Sequence, residues 1–185
     1  GGEILSFLGD GFLAVYPCER HREPSRIAAE AAMRAVRAAA ARVEALNRRR
    51  AEGGLDPVRF GLGLHIGNVM LGNVGLKQRL TFSAFGSAVN EVQRLEALAK
   101  KFDTPVIASE AFTGYSGGTW NFLGREALRG VRQKVGIYAP AGDLLGDGTA
   151  EVSADDADEA RSDAEQVMLL FRDRHVGGPP LIDRL

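Results

Sequence analysis

Apolar runs separated by turn-forming residues mark the chain from its start. Ile4, Phe7 and Leu8 lead into Gly9-Asp10-Gly11, and Phe12-Leu13-Ala14-Val15-Tyr16 follows. Two short apolar runs around a glycine-flanked turn predict a β-hairpin over residues 3–17, because glycine accepts the positive φ that tight hairpins require. Pro24-Ser25 then opens an Ala- and Arg-rich stretch to about Ala51, with Ile27, Ala31, Ala35, Val43 and Leu46 at roughly helical spacing. A proline is tolerated in a first helical turn, and Gly53-Gly54 ends the element. Residues 58–66 and a shorter run at 69–71 predict two strands punctuated by Gly67 and Gly72. Residues 87–101 predict a helix with Val89, Val92, Leu95 and Leu98 on its apolar side. A compact strand at 105–108 follows, Ser109 caps a short helix, and strands at 120–123 and 135–138 close the set. This mixture predicts an α/β or α+β sandwich.

After Pro140 the pattern changes. Residues 1–141 read as one domain and 142–157, rich in Gly, Asp and Ala, as a linker. Residues 158–185 read as a C-terminal helix and tail. Val167, Leu170 and Phe171 mark one face of that helix, and Gly177-Gly178-Pro179-Pro180 terminates it.

Composition narrows the class. Of 185 residues, 45% are hydrophobic and 25% charged, the balance of a globular domain. The formal net charge of -1 gives no basic surface for nucleic acid. No apolar run approaches the ~18–20 residues of a membrane span, and no charged-then-apolar leader opens the chain. Cys18 is the only cysteine, which excludes an internal disulfide and fits a reducing cytoplasm. The opening Gly1-Gly2-Glu3-Ile4 carries no initiator Met, so the chain reads as a piece of a longer polypeptide.

Two places carry candidate chemistry. Asp10 is either a turn residue satisfying its own backbone or a hard-metal ligand on a turn open enough for a triphosphate to approach. Asn90 and Arg94, four apart, share a helix face near an N-terminus, where free N–H groups favour an anion. Arg94 offers a guanidinium fork suited to phosphate oxygens. The alternative is a solvated Arg94 paired with Glu91 or Glu96.

Together, FLGDGFLAVYP, FGLGLHIGNVMLGNVG and LTFSAFGSAVNEVQRLE, in that order, resemble the class III adenylate/guanylate cyclase catalytic domain. Leu128-Arg129-Gly130-Val131 and Val135-Gly136-Ile137-Tyr138 resemble its closing strands. The resemblance covers about residues 1–140. It implies a ferredoxin-like, palm-type βαββαβ sandwich of α+β class, here lacking its first strand and first two helices. It implies that Asp10 matches the second metal-binding aspartate, Asn90 the ribose-orienting asparagine and Arg94 the transition-state arginine. Arg129 matches a basic residue on the triphosphate. The implied reaction converts ATP to 3′,5′-cyclic AMP and pyrophosphate, assisted by two Mg²⁺ or Mn²⁺ ions. The site would lie between two protomers, in a homodimer or with a related second cyclase protomer, as part of intracellular signalling.

The chain departs from the family pattern in two ways. The family's first metal aspartate lies upstream of the hairpin, so Asp10 has no visible partner ligand. The expectation is an incomplete core and an inactive 185-residue piece. The positions that select the base hold Ser6 and Ser83, which lean towards ATP over GTP. A degenerate cyclase-like module that binds nucleotide or a partner without turnover is the competing reading. A diguanylate cyclase is set aside, because Leu8-Gly9-Asp10-Gly11-Phe12 lacks that family's paired acids. Gly61-x-Gly63 is read as strand rather than dinucleotide loop. His65 is read as packing or hydrogen-bonding within its strand, and Arg48-Arg49-Arg50 as a solvated helix end.

Overall fold

The computed structural model describes residues 2–18, 22–76, 79–128, 133–142 and 164–173. The hairpin forms as expected: β1 (Glu3–Leu8) pairs antiparallel with β2 (Gly11–Pro17). Leu8 faces Gly11, leaving Gly9 and Asp10 as a two-residue turn with Gly9 at φ +67°. Helix α1 (Arg22–Glu52) fills the Ala/Arg stretch. Asn47 ties its last turns to the following loop, donating to the Val58 carbonyl at 2.9 Å and accepting from the Val58 N–H at 2.7 Å. Arg50 donates to the Asp56 carbonyl at 2.7 Å, so the Arg-rich helix end is held by the chain that follows it.

The two strands expected between residues 58 and 71 are one, β3 (Phe60–Leu76), which runs on into a hairpin with β4 (Arg79–Phe85). Gly67 and Gly72 do not break it, since glycine accepts extended backbone as readily as any turn. Beyond Val69, β3 pairs with β4 alone, forming a two-stranded arm. Helix α2 (Ser87–Lys101), β5 (Val106–Ser109), the short α3 (Glu110–Thr113), β6 (Trp120–Glu126) and β7 (Val135–Pro140) follow the sequence pattern closely. Ser109 is the α3 cap, accepting from the Phe112 N–H at 3.2 Å.

The C-terminal segment departs from expectation. Residues 164–173 are not helix but strand β8 (Ala164–Asp173). It lies between β2 and β3, antiparallel to both, in a sheet ordered β1-β2-β8-β3-β5-β7-β6. Strand pairing on two sides outweighs a weak amphipathic period. The run Gln166-Val167-Met168-Leu169-Leu170-Phe171 suits a central strand, which reads as a near-continuous apolar string. Strand β8 therefore fills the place between β2 and β3 and belongs to the same sheet as the elements before residue 141.

The pleat divides the core by parity. Leu62, Leu64 and Ile66 of β3 join Ala14, Tyr16, Val106 and Ala108 against Ala29, Ala32 and Val36 of α1. Leu13 and Val15 of β2 meet Ala88 and Val92 of α2 on the other face. Helices α1 and α2 thus cover opposite faces of one mixed sheet, an α+β sandwich.

Candidate active site

Helix α2 lies unusually close to β3, and the glycines of the GLGLHIG string explain why. A β-carbon at Gly63 would stand 2.7 Å from the Val92 carbonyl oxygen and 2.8 Å from the Glu96 nitrogen; one at Gly67 would stand 2.8 Å from the Ala88 β-carbon. Gly86, at φ +141°, opens the helix with its own absent β-carbon 2.9 Å from the Asn68 carbonyl. The reading of Gly63 as strand is right, and the structure adds that Gly63 and Gly67 let the helix backbone touch the sheet.

That seating fixes which residues α2 turns outward. Ala88, Val92, Leu95, Glu96 and Ala99 are buried, whereas Asn90 is exposed and Arg94 half-buried. Asn90 and Arg94 therefore stand one turn apart on the side away from the sheet. The alternative partners of Arg94 are differently placed from a solvated helix face. Glu96 is only 2% exposed, and Glu91 places a carboxylate oxygen 3.5 Å from His65 Nε2.

His65 itself is buried on the α2 face of β3. Its Nδ1 lies 2.8 Å from the Ser109 hydroxyl. Burial lowers its pKa to about 4, so the ring is neutral near pH 7. A carboxylate facing Nε2 requires the proton there, which makes Nδ1 the acceptor of the Ser109 hydroxyl proton. Ser109, His65 and Glu91 thus form one chain across β5, β3 and α2. Each residue was visible in sequence, but 44 positions separate His65 from Ser109, and no local pattern connects them.

Asp10 is exposed at the hairpin turn, at the end of the sheet rather than on the α2 side. A β-carbon at Gly9 would meet nothing within 4 Å. Hard oxygen donors on an open turn fit Mg²⁺ or Mn²⁺. Ser6, half-buried, pairs with Leu13 in the hairpin, and Ser83, also half-buried, pairs with Gly72 in the arm. Their neighbours Leu5 and Ala84 share one apolar cluster, so the structure brings the two serines' strands together. Arg129 lies outside the described residues. One chain thus gathers Asn90 with Arg94 and the strand of Ser6 with that of Ser83, but it does not seat Asp10 on the Asn90 face.

The family profile of the adenylate and guanylate cyclase catalytic domain matches residues 3–134. "Adenylate cyclase 1" of Rhizobium meliloti (strain 1021) is 33% identical over 154 residues, covering 81% of this chain and 22% of that protein. An uncharacterized Mycobacterium tuberculosis protein, from strain CDC 1551 / Oshkosh, is 30% identical over 166 residues, 88% of this chain and 27% of its own length. The chain therefore spans about a quarter of the length of these curated relatives. Among solved structures, the guanylyl cyclase Cya2 superposes with a TM-score of 0.58 at 25% identity, covering 77% of this chain and 71% of that one. A bacterial light-regulated adenylyl cyclase shares the fold at TM-score 0.60 and 23% identity, over 76% of this chain and 39% of that chain. Collinear motifs, a sheet sandwiched by α1 and α2, and a family match over most of its length agree: the chain belongs to the adenylate and guanylate cyclase catalytic domain family.

Proposed function

We propose that the chain converts ATP to 3′,5′-cyclic AMP and pyrophosphate at an interface between two protomers, in intracellular signalling. The observation that carries this reading is the placement of Asn90 and Arg94 together on the outward side of a helix locked to the sheet through Gly63, Gly67 and Gly86. A ligand gripped by that pair is held by a rigid element, as catalysis by positioning requires.

In the reaction the ribose 3′-oxygen attacks the α-phosphorus, the bond from that phosphorus to the bridging oxygen breaks, and pyrophosphate leaves with the electron pair. The 3′-hydroxyl proton passes to solvent. Asn90 holds the ribose so that the 3′-oxygen lies in line. Arg94 meets the charge that accumulates on the phosphate oxygens, and Arg129 holds the triphosphate. Asp10 would hold Mg²⁺ or Mn²⁺, which when bound would supply charge neutralisation and acidify the attacking hydroxyl. Because Asp10 stands at the sheet's end and Asn90 and Arg94 on the outer side of α2, the partner's copy of one set completes the site. Ser6 and Ser83 flank the base; the small hydroxyl residue at Ser83 and the lack of an acid at Ser6 favour adenine over guanine.

The test is product formation by the purified chain from ATP and from GTP with Mg²⁺ and with Mn²⁺, against Asp10→Ala. Strand β8 lies between β2 and β3, so the test is run on the chain itself. Cyclic AMP that disappears in the variant supports the reading. Cyclic GMP as the main product overturns the choice of base. Nucleotide bound with no product from either substrate moves the chain to a binding module.

A further inference from the structure

Glu91 and Arg94 stand three residues apart on α2, the spacing at which a carboxylate and a guanidinium on a helix surface ordinarily pair. They do not pair here. Among the described residues Arg94 has no hydrogen-bond or ion-pair partner, and a Glu91 carboxylate oxygen lies instead 3.5 Å from His65 Nε2. The Glu91 side chain is 17% exposed, drawn in towards β3 rather than standing out from the helix. The imidazole is held in the orientation this requires. The Ser109 oxygen already accepts from the Phe112 N–H at 3.2 Å, so its one hydroxyl proton is free for His65 Nδ1, 2.8 Å away. That leaves the ring proton on Nε2, facing Glu91. The same edge of the ring is walled in: a β-carbon at Gly67 would stand 3.1 Å from Nε2 and 2.8 Å from the Ala88 β-carbon. A ring so enclosed beneath the first turn of α2 keeps one orientation.

We propose that His65 is a positioning residue: it holds the Glu91 carboxylate away from Arg94 and so keeps the guanidinium fork open for phosphate oxygens. The inference rests on the phosphate-binding reading of Arg94 above and deepens it by giving the reason that the fork is unoccupied. A released Glu91 sits on the same helix as Arg94 and competes with every incoming phosphate without having to diffuse to it. The donor that prevents this comes from β3, and the hydroxyl that orients the donor comes from β5. The fork is thus kept free by the sheet beneath the helix.

The test is a cycle of His65→Leu, Glu91→Gln and the double variant in the full chain, each checked for fold by circular dichroism. Leucine cannot donate to Glu91, so the released carboxylate should take up Arg94. His65→Leu is expected to lower kcat about three- to fivefold, the share of forks that a partly exposed ion pair would occupy. In the double variant no carboxylate remains to capture the fork, so kcat should rise back above that of His65→Leu. A brace that only stabilises the fold predicts the reverse, because the second change would add to the first. The Arg94 side-chain Nε–H resonance reads the same event without turnover. It should shift in His65→Leu and return in the double variant. In Glu91→Gln alone it should stay where the parent has it, a comparison that survives if His65→Leu does not fold. A resonance that moves in Glu91→Gln as though an ion pair were lost overturns the inference. So does, in an active chain, a double variant no faster than His65→Leu. Resonances that follow the expected pattern in a chain that makes no cyclic nucleotide sink the enzyme and leave the role of His65.

Discussion

Gly63 and Glu96 meet backbone to backbone: a β-carbon on the glycine would fall 2.8 Å from the Glu96 nitrogen. No flexible side chain can yield there, so an added methyl group must push α2 off β3. Gly63→Ala should destabilise the fold by about 1–3 kcal/mol, the usual range for overpacking. It should also lower turnover by displacing Asn90 and Arg94, which ride on the same helix. Gly72→Ala is the control, because nothing lies within 4 Å of its β-carbon position. That change should stay within about 0.5 kcal/mol. Denaturant midpoints of the two variants, with the parent, decide the matter. Equal midpoints would mean that the helix moves without resistance.

This contact also shows what a sequence can and cannot reveal. Helix α2, the hairpin and the short strands around Ser109 were legible because local period and local turn chemistry agree with the final fold. The glycine spacing read only as strand and punctuation, since Glu96, the group that approaches Gly63, comes from another element. β8 was misread for a related reason. Val167, Leu170 and Phe171 fit a helical face, and only the vacancy between β2 and β3 makes a strand the better solution. The chain of Ser109, His65 and Glu91 is likewise a product of tertiary pairing. Asn90 and Arg94 were legible because four-residue spacing on a helix is local geometry.

His65 should give the fold an acid-sensitive step. Its folded pKa of about 4 lies below the value of 6.5 it has when free. Between those values the unfolded chain binds a proton that the folded chain refuses, so stability falls as the pH drops from 6.5 towards 4. The full effect is about 3 kcal/mol. It is absent above pH 6.5, where both states are neutral. His65→Gln cannot titrate, so the stability gap between parent and variant should close by that amount on acidification. Urea unfolding of both proteins at pH 7, 6, 5 and 4.5 measures it. A gap that stays constant across the series would show that His65 titrates alike in the folded and unfolded chain.

Arg94 should act on the transition state more than on substrate binding. Arg94→Ala is expected to lower kcat by about 100-fold or more with little change in KM, because the fork meets charge that develops during transfer. Arg94→Lys should recover only part of the loss, since an ammonium lacks the planar two-point grip. Steady-state kinetics with ATP and Mn²⁺ give both constants. A raised KM at unchanged kcat would reassign Arg94 to uniform substrate binding.

Asp10 and Arg94 provide the sharpest check on the two-protomer site. If each site takes Asp10 from one protomer and Arg94 from the other, the Asp10→Ala and Arg94→Ala homodimers both lack any intact site. Mixing equal amounts and allowing subunits to exchange makes about half the dimers mixed, by random pairing of a two-fold assembly. In a mixed dimer one of the two sites loses both groups and the other keeps both. Activity should therefore return to about a quarter of the parent value, from two preparations that are nearly silent alone. A site built within one chain gives the opposite result, because no mixing of the variants restores both residues to one protomer. The measurement is cyclic AMP formation after co-incubation, with size-exclusion chromatography confirming the dimer. Recovery near a quarter supports the shared site, and activity no greater than the average of the separate variants refutes it.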